Sequence, residues 1–178
     1  TVTSLLVANI TPVAIAGGSI LSGAITVTNN GSIKLAETGT LASSISMSGG
    51  TLDADNSLTV SGTLTHTGNI TIDVADTKTL TYSGTAISLG ANTLTLSGGG
   101  TLSNTINNAL VLNNEDSLLM LDDTVTVGAV NVTAASSTDK GLEVNTSAAI
   151  SSLKVTADTE LKIADGEALS GAITVKIG

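Results

Sequence analysis

The chain contains no cysteine, phenylalanine, tryptophan or arginine, and it has a single proline, a single histidine and a single tyrosine. Each absence excludes something. Without cysteine there can be no disulfide, no zinc–thiolate site and no thiol nucleophile. Without arginine, and with 6 lysines against 15 acidic residues for a formal net charge of −9, there is no basic stripe to fork onto phosphates. The same balance argues against docking on anionic lipid and is read as a source of solubility. No run of 18 apolar residues exists, so no membrane-spanning helix is expected. The uncharged stretch Thr1–Ile33 is too rich in Thr, Ser, Asn and Gly to serve as one, and it has no basic start of the kind that opens a signal peptide. With Thr1 where an initiator Met would stand, the chain is expected to have been cut, either as a processed subunit or as a segment of something longer.

Hydrophobic residues still make up 41% of the chain, so the core must be built from Leu, Ile, Val and Ala. Compact cores normally use rings to fill irregular space. An aliphatic core points to small, nearly identical layers. Fifty Ser and Thr and 19 Gly supply the strand-compatible and turn-forming residues around it.

The layers are visible as repeats. Leu21-Ser-Gly-Ala-Ile-Thr-Val27 recurs identically as Leu169-Ser-Gly-Ala-Ile-Thr-Val175, 148 positions later. Between them, Leu41-Ala-Ser-Ser-Ile-Ser-Met47 keeps the apolar positions. Strand phrases ending in Ser-Gly occur at Asn56–Gly62, Lys78–Gly84 and Asn92–Gly98. Units starting at Leu21, Leu41, Leu64, Ala86, Leu102, Val127, Ile150 and Leu169 are 20, 23, 22, 16, 25, 23 and 19 residues long. Each is expected to carry two apolar pairs at the strand period of two. The first pairs are Ile25/Val27, Ile45/Met47, Ile70/Ile72, Ile87/Leu89, Leu110/Leu112, Val130/Val132 and Leu153/Val155. The second are Ile33/Leu35, Leu58/Val60, Leu80/Tyr82, Leu94/Leu96, Leu119/Leu121, Leu142/Val144 and Leu161/Ile163. The stretch Ser32–Met47 also aligns with Glu160–Val175 without a gap.

No segment has a helical period. A unit near twenty residues is too short for a propeller blade and fits one coil of a parallel β-helix. The alternative, a β-sandwich, would use core aromatics that this chain lacks. The expected fold is therefore an all-β, right-handed parallel β-solenoid of about eight coils, ~20–22 residues each and about 38 Å tall, the hand following the usual crossover preference. It forms one domain over 1–178: an N-terminal strand and incomplete coil in 1–20, seven repeat units in 21–168 and an unfinished coil in 169–178.

The phrases Leu58-Thr-Val-Ser-Gly-Thr63, Gly31-Ser-Ile-Lys-Leu35 and Gly49-Gly-Thr-Leu52 resemble β-helical passenger regions of bacterial autotransporters and filamentous-haemagglutinin-type adhesins. The resemblance covers nearly the whole chain and rests on composition and phrasing. It implies a microbial protein, extracellular or at the cell surface, with a structural or adhesive role, and it carries over no catalytic residue.

His66 stands alone beside an expected turn; no Gly-x-Ser-x-Gly elbow accompanies it, and it is read as a solvated surface residue. Carboxylates pair at turns: Asp53/Asp55, Asp73/Asp76, Glu115/Asp116, Asp122/Asp123, Asp158/Glu160 and Asp165/Glu167. A polysaccharide lyase or hydrolase on a solenoid would use such pairs, but also sugar-stacking rings and basic groove residues, so no enzyme is expected. Asp53, Asp55 and Asn56 are the one weak calcium candidate, at alternating positions but without the other loop ligands. No other cofactor is indicated. Sequons at Asn9, Asn30, Asn69, Asn131 and Asn145 are about as many as chance gives in so Ser/Thr-rich a chain. The Asn-Asn steps at 29–30, 107–108 and 113–114 are candidate amide ladders.

A solenoid leaves a bare strand edge at each end, and no capping helix or charged cap is evident. Leu169–Gly178 and Thr11–Ile20 of a second copy would together make a twenty-residue coil, leaving Thr1–Ile10 as a spare strand to lie along the neighbour. Val2, Leu5, Val7, Val13, Ile15, Leu169, Ile173, Val175 and Ile177 are then the expected assembly residues, and the partner is the chain itself in a head-to-tail homopolymer. The alternative is a stalk or binding segment of an adhesin that meets a surface receptor or glycan.

Overall fold

The structure, a computed structural model, describes residues 2–8, 13–15, 21–36 and 38–176. It is all-β apart from one short 3-10 helix among the described residues, Ile106–Asn108. The strands are parallel and stack coil on coil into a β-solenoid of about eight coils. Among the described residues the coils contribute strands to three faces, where two apolar pairs per unit were expected. Face I holds β1 (Val2–Val7), β3 (Leu21–Val27), β6 (Ile45–Met47), β9 (Leu64–His66), β12 (Ile87–Ser88) and β15 (Leu110–Leu112). Face II is one unbroken sheet of β2 (Val13–Ile15), β4 (Ser32–Leu35), β7 (Gly50–Ala54), β10 (Ile70–Val74), β13 (Thr93–Ser97), β16 (Leu118–Leu121), β18 (Gly141–Val144) and β20 (Leu161–Ile163). Face III holds β5 (Thr40–Leu41), β8 (Leu58–Val60), β11 (Thr79–Tyr82) and β14 (Thr101–Ser103). Three longer strands, β17 (Thr126–Val132), β19 (Ala148–Val155) and β21 (Leu169–Val175), run round the corner and serve faces III and I together.

The core follows from this register. On face II, Ile33 pairs with Leu52, then Ile72, Leu96, Leu121, Val144 and Ile163 in turn, so these coils span 19, 20, 24, 25, 23 and 19 residues. Aliphatic side chains point inward at alternate positions and stack on their counterparts, while Thr, Ser, Asp and Lys point out. Such a column needs no rings, because each layer repeats the shape of the last.

The third face corrects the expected pairs. Ile70/Ile72 lie on face II, and the face I residues of that coil are Leu64 and His66. Leu58/Val60 and Leu80/Tyr82 belong to face III, opposite each other. The sixteen-residue unit starting at Ala86 disappears, since Leu80 pairs with Leu102. On face II the Ser32–Met47 alignment slips, because Ile33 stacks towards Ile163 and not Leu161. A slip of two residues keeps every side chain on its side of the sheet, so apolar alternation could not detect it.

The glycine of two of the Ser-Gly phrases, Gly62 and Gly84, has a steric cause that Gly128 shares. After face III the chain turns a tight corner, and each coil lies almost on the backbone of the one before. A Cβ at Gly62 would run into the Ser43 carbonyl, one at Gly84 into the Gly62 carbonyl, and one at Gly128 into the Asn104 backbone.

Face I is broken once, between β9 and β12, where the coils also lengthen. Tyr82, the only aromatic residue, sits there in the core. Its hydroxyl accepts a hydrogen bond from the Leu64 N–H at 3.0 Å, in place of a carbonyl from the next coil. Burial raises the pKa of that phenol, keeping the hydroxyl neutral. One coil on, the buried Asn104 amide replaces a backbone rung: Nδ2 donates to the Ala129 carbonyl at 2.8 Å and Oδ1 accepts from the Ala129 N–H at 3.1 Å. The Asn108 amide donates to the Tyr82 carbonyl. Asn104→Ala would strand both Ala129 groups in a dry core. It is expected to destabilise the fold by about 2–4 kcal/mol, read as a lower thermal midpoint and a lower urea midpoint.

Candidate functional site

The carboxylates that pair in the sequence are spread along the rod, and most of them stitch one coil to its neighbour. Glu160 Oε2 accepts from the Asp139 N–H at 2.9 Å, Asp123 Oδ2 from the Gly98 N–H at 3.2 Å, and Glu167 Oε2 from both the N–H and hydroxyl of Ser147. Asp73 accepts from the Ser97 hydroxyl at 2.8 Å, and Asp122 from the Asn145 amide at 2.7 Å. Acidic residues collect at turns because turn N–H groups have no strand partner and need an acceptor. Asparagines do the same: Asn69 Oδ1 accepts from Thr93 N–H and Asn113 Oδ1 from Gly90 N–H. The Asn-Asn steps are thus used singly. Asn108 and Asn113 serve the backbone of another coil, and Asn114 Oδ1 accepts locally from the Asp116 N–H.

The calcium candidate lies on the outer surface of face II. There Lys34 is in register with Asp53, and Asp53 with Asp73. The Lys34 ammonium is 2.6 Å from Asp55 and 3.7 Å from Asp53, so a lysine occupies the space between the two carboxylates. Asn56 turns away and donates its amide to the Ala36 carbonyl. Among the described residues no three His, Asp or Glu side chains converge as a metal site would require. The hydrogen bond to Asp55, then the charge of Asp53, raise the Lys34 pKa. Asp55 is held below its ordinary value by its bond to Lys34, and Asp53 is pushed up by burial and then by the Asp55 charge. The closer, directly bonded pair is Lys34–Asp55.

His66 is not the solvated turn residue expected. It stacks in register on Met47, at an inward position of face I. Its Nδ1 lies 3.0 Å from the Gly68 carbonyl, and its Nε2 is buried without a partner. The alternation of Leu64-Thr-His66 was the signal for this inward placement, and the adjacent turn hid it. Of the sequons, Asn30 is exposed, Asn69 and Asn145 use their amides within the chain, Asn131 is half-buried with its Oδ1 unpartnered, and Asn9 lies outside the described residues.

The assembly residues divide between the two ends. Val2, Leu5 and Val7 lie on β1, which pairs with β3 of the same chain, Leu5 on Ile25 and Val7 on Val27. The strand expected to be spare is therefore the first rung of face I. Val7 is buried and Leu5 half-buried. Val13 and Ile15 are placed by β2, which pairs with β4; Ile177 lies outside the described residues. At the other end, β21 pairs only with β19, and β20 ends the face II sheet. Ile173 and Val175 are 50% and 61% exposed, and Leu169 is packed partly against the core. Leu161 and Ile163 share this end, at 44% and 40% exposure. Their match to the buried Ile33 and Leu35 in the Ser32–Met47 alignment marked them as coil-facing. Leu161, Ile173 and Val175, together with Leu142, Leu153 and Val155, line a hollow of ≈ 510 Å³ at this end of the core.

Fold and surface thus define a parallel β-solenoid with an apolar, unpaired end. Comparison with protein-family models, with curated proteins and with solved structures finds no match.

Two outcomes test these assignments. Carboxyl titration by NMR is expected to show Asp55 titrating below 3.8 and Asp53 above it, with Lys34→Met moving Asp55 upward. The lowered Asp55 contributes stability present above 3.8 and lost as pH falls through its folded value. The raised Asp53 contributes stability present below 3.8 and lost as pH rises through its own. Separately, His66→Leu replaces an unpartnered buried nitrogen in an aliphatic column, and a gain of about 1 kcal/mol in unfolding free energy is expected by denaturant titration.

Proposed function

We propose that the chain is a non-enzymatic structural protein whose rod extends end to end, copy on copy, into an extracellular or cell-surface fibre. The observation that carries this reading is the open end: the free edges of β20 and β21 together with exposed Leu161, Ile163, Ile173 and Val175. An unpaired strand edge recruits another strand. Burying the exposed half of each of these four side chains under a further coil is worth about 1 kcal/mol, and the coil would satisfy the edge N–H and C=O groups as well. The opposite end also presents strand edges on faces I and II, running in the same chain direction. A contact between unlike ends does not close on itself and propagates as a filament. The engagement of Asp73, Asp122, Asp123, Glu160 and Glu167 in coil-to-coil hydrogen bonds supports a structural role for them over hydrolysis of a polysaccharide.

The same edge favours a second reading, in which further coils of a longer adhesin-like chain cover the end and the rod is a stalk. The two differ in what the 178-residue chain does by itself. Incubated at high concentration and viewed by negative-stain electron microscopy, it is expected to form thin, regular filaments. Ile173→Lys/Val175→Lys is expected to abolish them while leaving the thermal midpoint within a few degrees, because both side chains lie on the last rung. Short single rods from the unsubstituted chain would favour the stalk.

A further inference from the structure

We propose that the joint between copies forms by strand exchange: β21 of one copy displaces β1 of the next and takes its place on β3. This rests on the end-to-end reading above and specifies its contact.

The order of the faces carries the argument. Along the chain, faces I and II alternate, so β20 on face II is followed by β21 on face I. A continuous coil requires a face II strand next. The neighbour's β2 supplies it by stacking on the free edge of β20, and the neighbour's β3 then falls directly on the free edge of β21. That edge of β3 is the one its own β1 holds in the isolated chain. If β1 stayed, β21 would have to stack on β1, and face II would lack one rung between β20 and the neighbour's β2. The two ends can therefore join without a gap only if β1 leaves.

The strands favour the exchange. β1 pairs with β3 through Val2 and Ser4–Val7, with a register shift between Val2 and Ser4. β21 is Leu169-Ser-Gly-Ala-Ile-Thr-Val175, identical to β3, Leu21-Ser-Gly-Ala-Ile-Thr-Val27. Laid on β3 in register it stacks seven residues on their own kind, Ile on Ile and Val on Val, with no bulge required. β3 already holds a parallel partner on each edge, so this sequence is compatible with pairing on both sides. On this account β1 is a self-made cover for the growing end, and the repeated heptad is the joint.

Cysteine pairs test it in a chain that has no cysteine of its own. Leu6 and Thr26 are in register on the outer side of β1 and β3, and both are exposed. In-register neighbours on adjacent strands lie within disulfide reach. Oxidised L6C/T26C locks β1 in place. Its sedimenting fraction is expected to fall at least tenfold against the reduced protein and to recover on reduction. T26C/T174C is expected to give a ladder of covalent oligomers on oxidation, and L6C/T174C to remain monomeric on a denaturing gel. If locked L6C/T26C assembles as well as its reduced form, or L6C/T174C cross-links in place of T26C/T174C, the ends stack with β1 retained; exchange is then wrong and end-to-end assembly stands. If the unsubstituted chain never sediments, both are wrong.

Discussion

Everything in this molecule depends on one constraint: each strand finds its ladder partners in the coils before and after it. The parallel ladder forces like positions to stack, roughly 4.8 Å apart. Inward residues must then repeat in size, which an all-aliphatic core with one ring achieves. Corners must let one backbone lie on another, which places glycine at 62, 84 and 128. Turn N–H groups, outside the ladder, are met by side chains reaching from an adjacent coil, which is how the carboxylates at Asp123, Glu160 and Glu167 are used. Among the described residues β20 and β21 each carry one free edge, and there the core opens.

The same constraint explains the one irregular region. Coils of 19 and 20 residues give way here to coils of 24 and 25. The break falls on face I, between Leu64–His66 and Ile87–Ser88. Side chains take over the lost rungs: the Tyr82 hydroxyl serves Leu64, and the Asn104 amide serves Ala129 at both donor and acceptor. The lone aromatic residue and the buried amides stand where the regular repeat fails. Faces II and III stay continuous past this point, so the stack remains connected.

The fold was legible because its signals are local and repeated. Alternation at Ile25/Val27 or Leu142/Val144 reads as strand in any context, and recurrence near twenty residues reads as coils. Register was less legible. Alternation reports which side of a sheet a residue faces, but not which neighbour it meets, so Leu58/Val60 and Ile70/Ile72 were exchanged between faces and Ile33 was set against Leu161. His66 looked solvated because a turn follows it, although its partner in the ladder is Met47. The pairing of Lys34 with Asp53 and Asp55, nineteen and twenty-one positions away, required the register itself.

Of the end surface, Leu169, Ile173 and Val175 were legible as an unfinished coil, while Leu161 and Ile163 were not, because in the sequence they resemble every buried pair before them. By itself the sequence determined the class of fold, the makeup of the core and the repeated heptad, all consequences of side-chain chemistry and short-range periodicity. Only the tertiary structure decided how many faces the coil has, which strands meet, and that β1 already occupies the edge of β3. Those are matters of pairing between residues some twenty positions apart, and coil lengths that vary from 19 to 25 leave that pairing open until the backbones are laid on one another.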